Sequence, residues 1–275
     1  MIWTPNSHFS AFQHNMPATL AQDWGTTVTA HTSAHTKGDW VEVISSTTYQ
    51  AGMLALSVHS TAATGVQTDS LVDIGIGTAG NEVVLIGDIL CGYKHGPDNV
   101  RQPDTIIIPD LHIPEGTRIS ARMQSLVTGG KTSIVQLCVY SGASSPAHKF
   151  TVVDTYGVST ASSQGTSVTA GLSNAFGSWT NVGSTTTKDY GGVFLIAQGN
   201  TSALSNNMYY FEVGISSTTL ARWYIRFQSG EVVLGQIPGV PYFGHIPKSS
   251  QLQVRSACNN SGSVDSLGVG LYCFA

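Results

Sequence analysis

Trp40-Val41-Glu42-Val43-Ile44-Ser45-Ser46-Thr47-Thr48 and Trp179-Thr180-Asn181-Val182-Gly183-Ser184-Thr185-Thr186-Thr187 are two versions of one stretch, about 139 residues apart. The correspondence runs without a gap from Trp40 to Gly77 against Trp179 to Ser216. It sets Gly52 on Gly191, Asp73 on Glu212, Gly75 on Gly214 and Ile76 on Ile215. Upstream, Gly25-Thr26-Thr27-Val28-Thr29-Ala30 lies over Gly165-Thr166-Ser167-Val168-Thr169-Ala170. Downstream, after a change of length, Ile113-Pro114 matches Ile246-Pro247 and Arg122 matches Arg255, while Val135, Leu137 and Tyr140 meet Val269, Leu271 and Phe274. Self-similarity at a fixed period implies repeated structural units. Two tandem domains are therefore expected: an N-terminal arm over 1–21, a first domain over 22–143, a linker over 144–151 and a second domain over 152–275.

Within each copy, short runs rich in β-branched and aromatic residues recur about every ten residues, separated by Gly, Pro, Asn or Ser-Thr clusters. Met53 to Val58, Leu71 to Ile76, Val83 to Ile86, Ile119 to Met123 and Ile134 to Tyr140 are strands of this kind. Tyr209 to Ile215, Arg222 to Phe227, Leu252 to Cys258 and Leu267 to Phe274 repeat the rhythm. No segment carries a helical apolar period. The fold class is all-β, two tandem jelly-roll-like β-sandwiches related by duplication.

Composition narrows function. The 275 residues carry only 10% charged side chains and a net charge of -4, against about 25% charged in an ordinary soluble protein. No clustered basic face attracts phosphates, so nucleic acid is not expected as a partner. No apolar run reaches the roughly 18 residues of a membrane span. Met1 to Ala21 lacks the basic start and apolar centre of a secretory signal, which implies cytoplasmic synthesis. Cys91, Cys138, Cys258 and Cys273 have no C-x-x-C spacing and suit buried free thiols, with one late disulfide as the alternative.

The duplicate serves as a control on each tempting motif. Gly75-Ile76-Gly77-Thr78-Ala79-Gly80 spells G-x-G-x-x-G, but a strand-like Val83-Val84-Leu85-Ile86 follows where a dinucleotide site needs a helix. The second copy keeps only the first glycine, so a hairpin turn is the better reading. His31 and His35 have no counterpart in the second copy and no acidic or Cys ligand nearby in sequence. Asp98, Asp104 and Asp110 lack a D-x-D-x-D-G pattern for calcium, and no G-x-S-x-G elbow marks a nucleophile. Catalytic, cofactor and metal residues are thus expected to be absent, and the chain is expected not to be an enzyme. Asp73 and Glu212 sit between apolar neighbours on strands. Each could bind loop backbone or pair with the aligned Arg122 and Arg255, and an acid–arginine pair buried beneath each sandwich is the preferred reading.

Gly38-Asp39-Trp40-Val41-Glu42-Val43-Ile44-Ser45-Ser46-Thr47-Thr48, Leu71 to Ile86 with its Gly-Thr-Ala-Gly-Asn-Glu turn, and Ile113 to Ser125 with Pro-Glu-Gly-Thr-Arg carry a resemblance. Over about residues 22 to 142 the chain resembles the repeated β-sandwich modules of tailed-bacteriophage virion proteins, and the second copy is a drifted version. The resemblance implies a non-enzymatic structural protein of the phage particle surface. Capsid decoration or cement is the first expectation, and a tail fibre or spike binding host surface polysaccharide is the alternative. It implies a virion location, other virion proteins as partners, and a homo-oligomer with a trimer favoured. On this view Trp3, Phe9 and Phe12 of the arm dock on the particle, and Tyr242, Phe243 and His245 form a candidate glycan- or partner-binding loop.

Overall fold

The structure is a computed structural model that describes residues 11–15, 25–60, 69–91, 93–94, 104–141, 150–199, 207–227, 232–233, 241–260 and 266–275. Every regular element among them is a strand. The first copy contains β1 (Phe12–His14), β2 (Thr26–Thr29), β3 (Val41–Ile44), β4 (Ala51–Ser60), β5 (Ser70–Ile76), β6 (Val83–Cys91), β7 (Tyr93–Lys94), β8 (Asp104–Ile113), β9 (Ile119–Ser125) and β10 (Thr132–Ser141). The second contains β11 (Val153–Tyr156), β12 (Val158–Ser159), β13 (Gln164–Gly171), β14 (Thr180–Asn181), β15 (Tyr190–Gly199), β16 (Asn207–Ile215), β17 (Thr218–Phe227), β18 (Val232–Val233), β19 (Tyr242–Ile246), β20 (Leu252–Cys258) and β21 (Ser266–Phe274).

Strand order identifies the architecture. In the first copy β2-β10-β4-β8 form one sheet and β3-β9-β5-β6 the facing one. In the second, β13-β21-β15-β19 and β14-β20-β16-β17 repeat the same two orders. Two four-stranded sheets with this crossing connectivity are a jelly roll, so the chain is two tandem jelly rolls. Period-2 alternation fills each sandwich: Val72 and Ile74 of β5 face one core, while Tyr209, Phe211 and Val213 of β16 face the other. The G-x-G-x-x-G stretch is the turn between β5 and β6, with Gly77 at φ 121° and Gly80 at φ 82°. That conformation favours glycine on steric grounds alone.

The N-terminal segment is partly a strand of its own domain. Phe12 pairs with Tyr140 and His14 with Cys138, so β1 extends the edge of β10 as β11 extends the edge of β21. Phe12 is solvent-exposed and packs against the His14 and Tyr140 rings. Trp3 and Phe9 lie outside the described residues. All four cysteines are free thiols. No helix among the described residues is long and apolar enough to cross a membrane.

The second jelly roll closes the open side of the first. Phe150 bridges to Leu111 of β8, and Val153 pairs in parallel with Ile86 of β6, so the segment joining the copies spans both edge strands of the first sandwich. Phe194, Ile196, Tyr272 and Phe274, on the outer face of β15 and β21, then complete the first core. Leu90 packs on Gly270, where an added Cβ would come within 3.0 Å of Leu90 Cδ1. The Tyr272 hydroxyl accepts from the Leu90 N–H at 2.7 Å and donates to the Asp88 carbonyl at 3.0 Å.

Removing that hydroxyl strands a buried donor and acceptor at once, which costs about 1–3 kcal/mol. Tyr272→Phe is therefore expected to lower the urea midpoint of the whole chain. An unchanged midpoint would show that the two copies are held together without this contact.

Candidate functional site: the outer sheet face of the second copy

The residues repeated between the copies assemble into one unit in each. Asp73 of β5 stands opposite Arg122 of β9, and its Oδ2 accepts from Arg122 Nε at 2.8 Å. The guanidinium lies 4.4 Å from the centroid of the Trp40 ring, and Trp40 rests on Gly75, where a Cβ would meet the ring at 2.7 Å. In the second copy Glu212 of β16 stands opposite Arg255 of β20, and its Oε2 accepts from Arg255 Nε at 2.6 Å. Arg255 lies 4.5 Å from the Trp179 ring centroid, and Trp179 rests on Gly214, where a Cβ would meet the ring at 2.8 Å. Both acids are buried, but on the outward face of their sheet rather than beneath the sandwich, with the arginines partly in solvent.

Around this unit the copies diverge. In the first, Lys37 donates to Asp73 Oδ1 at 2.7 Å and pairs with Asp88 at 2.8 Å. The backbone N–H of Asp88, a residue with φ of 52°, also donates to Asp73 Oδ1. In the second, Phe176 takes the place of Lys37 and lies 4.9 Å from Arg255, while Arg222 takes the place of Asp88 and donates from Nε to Glu212 Oε1 at 2.5 Å. Thr219 adds a hydrogen bond to Glu212 Oε2. Burial raises the Glu212 pKa, and the hydrogen bonds from Arg255 and Arg222 outweigh it, leaving the group below the ordinary carboxylate range.

The paired acids Asp73 and Asp88 invite a test as a glycosidase pair, because they share one ammonium. Glycoside cleavage needs one carboxyl that holds a proton for the leaving group. Asp73 uses both oxygens as acceptors from Lys37, Arg122 and the Asp88 N–H, and Asp88 faces the same Lys37. Neither is arranged as a proton donor. Glu212, held by two arginines, is no better suited.

The same sheet face carries two aromatic side chains in the second copy. Glu212 and Gly214 point outward, so alternation on β16 turns Tyr210 outward as well. Its register partner on β17 is Tyr224. Tyr210 is 39% exposed and Tyr224 60% exposed. Their counterparts in the first copy are Leu71 and Leu90, themselves register partners and both buried. Leucine occupies these positions where the second jelly roll covers them, and tyrosine occupies them where it does not.

The aromatic positions singled out from sequence fall elsewhere. Tyr242, Phe243 and His245 lie on strand β19, not in a loop. Neighbouring residues on a strand face opposite ways, so Tyr242 packs against the second core while Phe243 stacks on Phe150 and Phe274 outside it. They form no common platform. His245 lies 3.3 Å from Asp189 among exposed groups. Among the other aromatic residues of the second copy, Tyr190, Tyr209 and Trp223 belong to the core, whereas Tyr224 faces outward. Sequence reasoning overlooked Tyr210, although its spacing of two from Glu212 carried the signal.

No protein-family model matches the sequence, and no curated protein sequence does. Among solved structures, the chain is similar to PNGF-II, at 10% identity and a TM-score of 0.43, over 91% of this chain and 65% of that one. It is also similar to PNGase F, a glycosylasparaginase from Flavobacterium meningosepticum, at 10% identity and a TM-score of 0.43, over 96% of both chains. The chain thus spans about two thirds of the length of PNGF-II. These findings overturn the expectation of a non-enzymatic structural protein of the phage particle, whether capsid decoration or tail fibre. Of the two similar structures, PNGase F is a glycosylasparaginase, an enzyme. At this identity and TM-score they assign no residue and no reaction to the present chain.

The lowered Glu212 pKa gives a signed expectation. The folded chain binds this proton more weakly than the unfolded one, so the pairing stabilises fully above the ordinary glutamate value of 4.5 and is lost as pH falls through the lower folded value. Glu212→Gln should cost about 1–3 kcal/mol near neutral pH. The gap to the parent should narrow as pH drops below 4.5, read by urea unfolding at stepped pH. A gap independent of pH would remove the ion pair as its cause.

Proposed function

We propose that the chain binds carbohydrate through the outer face of β16 and β17, with Tyr210 and Tyr224 as the stacking platform. The observation that carries this is the cross-strand tyrosine pair left in solvent beside a fixed Glu212–Arg222–Arg255 cluster. A pyranose presents a face of C–H groups that packs on an aromatic ring, and its hydroxyls need polar partners at the rim. Tyrosine supplies both an apolar body and a polar tip. Where protein covers the equivalent strip, it is lined by Leu71 and Leu90, as a dry contact requires.

Size favours a small ligand. A stable protein interface takes about 800 Å² and 20–30 residues from each side. Here the exposed aromatic strip is two side chains wide. Among the described residues, the other exposed large apolar side chains, Phe12, Val83, Val84, Ile107 and Phe243, lie on other strands. Such a strip fits one or two sugar rings.

Burying a ring-sized apolar contact is worth about 1.5–3 kcal/mol, which corresponds to roughly ten- to a hundredfold in affinity. A glycan array should find saturable ligands, and Tyr224→Ala should weaken them by about that factor while Phe243→Ala does not. Undiminished binding by a folded Tyr210→Ala/Tyr224→Ala double variant would overturn the proposal.

A further inference from the structure

Arg222 is more than a partner for Glu212. The fold's requirement for a cation beside the buried acid is met in both copies from the β9/β20 strand, by Arg122 and by Arg255. The position of Arg222 is not part of that requirement, because the first copy has no cation there: counted from Leu90, the counterpart of Tyr224, the residue is Asp88, in a bulge of β6 opposite Asp73. A second cation serving the acid alone would be drawn over it, as Lys37 is over Asp73 with 17% of its side chain exposed. Arg222 keeps 73% of its side chain in solvent while its Nε is anchored on Glu212 Oε1.

Charge follows the same asymmetry. Asp73, Asp88, Lys37 and Arg122 sum to neutrality in the first copy, whereas Glu212, Arg222 and Arg255 leave one positive charge in the second. This local excess sits in a chain of net charge -4. Arg222 and Tyr224 are two residues apart on β17 and share its outward face, about 7 Å from each other. That spacing places the guanidinium beside the rim of a sugar ring stacked on Tyr224. A guanidinium held at Nε still presents its terminal edge, the planar fork that grips a carboxylate or sulfate through two hydrogen bonds.

We infer that the ligand is an acidic saccharide, with a ring stacked on Tyr210 and Tyr224 and its carboxylate or sulfate on Arg222. This inference rests on the carbohydrate-binding reading of the same face, and the two can fail separately.

The probes are tetragalacturonate, the same oligosaccharide fully methyl-esterified, a chondroitin sulfate tetrasaccharide and the unsulfated chondroitin tetrasaccharide, each titrated calorimetrically into the full chain. The acid should bind about tenfold or more tightly than the ester, and its affinity should fall as salt is raised. Arg222→Gln should shrink the acid-to-ester ratio to about twofold or less. Arg222→Lys should fall between, because an ammonium keeps the charge and loses the fork. Arg222-dependent binding of the sulfated probe in preference both to tetragalacturonate and to the unsulfated chondroitin tetrasaccharide would support the inference and identify sulfate as the anion. Equal affinity for acid and ester, both lost in Tyr224→Ala, would overturn the acidic preference and leave carbohydrate binding standing. No binding by any of the four, with no hit on a glycan array, would overturn both. A thermal melt of each variant shows that it is folded.

Discussion

A carboxylate taken out of water has to be paired, and each half of this chain is organised around that constraint. An isolated buried charge costs many kcal/mol. Asp73 and Glu212 are buried, and the register of β5 on β9 and of β16 on β20 sets an arginine directly opposite each. The arginine is then flattened against Trp40 or Trp179, and the tryptophan needs Gly75 or Gly214 beneath it. The four residue types are interdependent: a side chain on the glycine lifts the indole, which frees the guanidinium, which strands the acid. Because the pairing holds only in one register, it also fixes which residues of each strand face the core.

The duplication was legible because the repeated residues repeat their contacts. Thr47 Oγ1 donates to the Pro114 carbonyl at 2.8 Å, and Thr186 Oγ1 donates to the Pro247 carbonyl at 2.8 Å. Recurrence of Thr and Ile-Pro in both copies therefore reports one turn-fixing hydrogen bond made twice. Drift is equally physical. The second copy lacks the Gly-Thr-Ala-Gly-Asn-Glu turn and, after the retained Pro247, the Glu-Gly-Thr-Arg residues, and the structure shows why they go together: Arg118 joins Glu82 and Glu42, each at 2.8 Å. Once either partner is lost, the other has no task.

What remained hidden depended on facts that span the two copies. Leu71 and Leu90 look like ordinary strand residues, and nothing local says that the second jelly roll covers them. Tyr210 sits in the run Tyr209-Tyr210-Phe211, where aromatic residues on both faces mask the alternation. Only Glu212, once its outward orientation is known, fixes the parity that turns Tyr210 to solvent. The aromatic pair Tyr242 and Phe243 misled for the complementary reason. In sequence, Pro238-Gly239-Val240-Pro241 and Gly244 around them read as a loop, but cross-strand pairing with β15 makes a strand, and a strand separates neighbours onto opposite faces.

The packing of two copies of one fold side by side has a further consequence. The first jelly roll has its β6–β8 side closed by Phe194, Ile196, Tyr272 and Phe274 of the second, so the outer strip at Leu71 and Leu90 is committed to holding the chain together. The equivalent strip of the second copy carries no such duty among the described residues, and its side chains depart from the first copy in one consistent direction. Leu becomes Tyr twice, Asp88 becomes Arg222, and Lys37 becomes Phe176 stacked beneath Arg255. Together the changes keep the acid–arginine–tryptophan unit intact, make the strip around it more aromatic, and add one net positive charge, because the change of Asp88 to Arg222 outweighs the loss of Lys37. Had the strip only been released from packing, shorter polar side chains would satisfy solvent at lower entropic cost than ordered tyrosines and an anchored arginine. The divergence matches what the proposed ligand, partly apolar and partly anionic, requires of the strip, built on a scaffold whose stability the same buried glutamate secures.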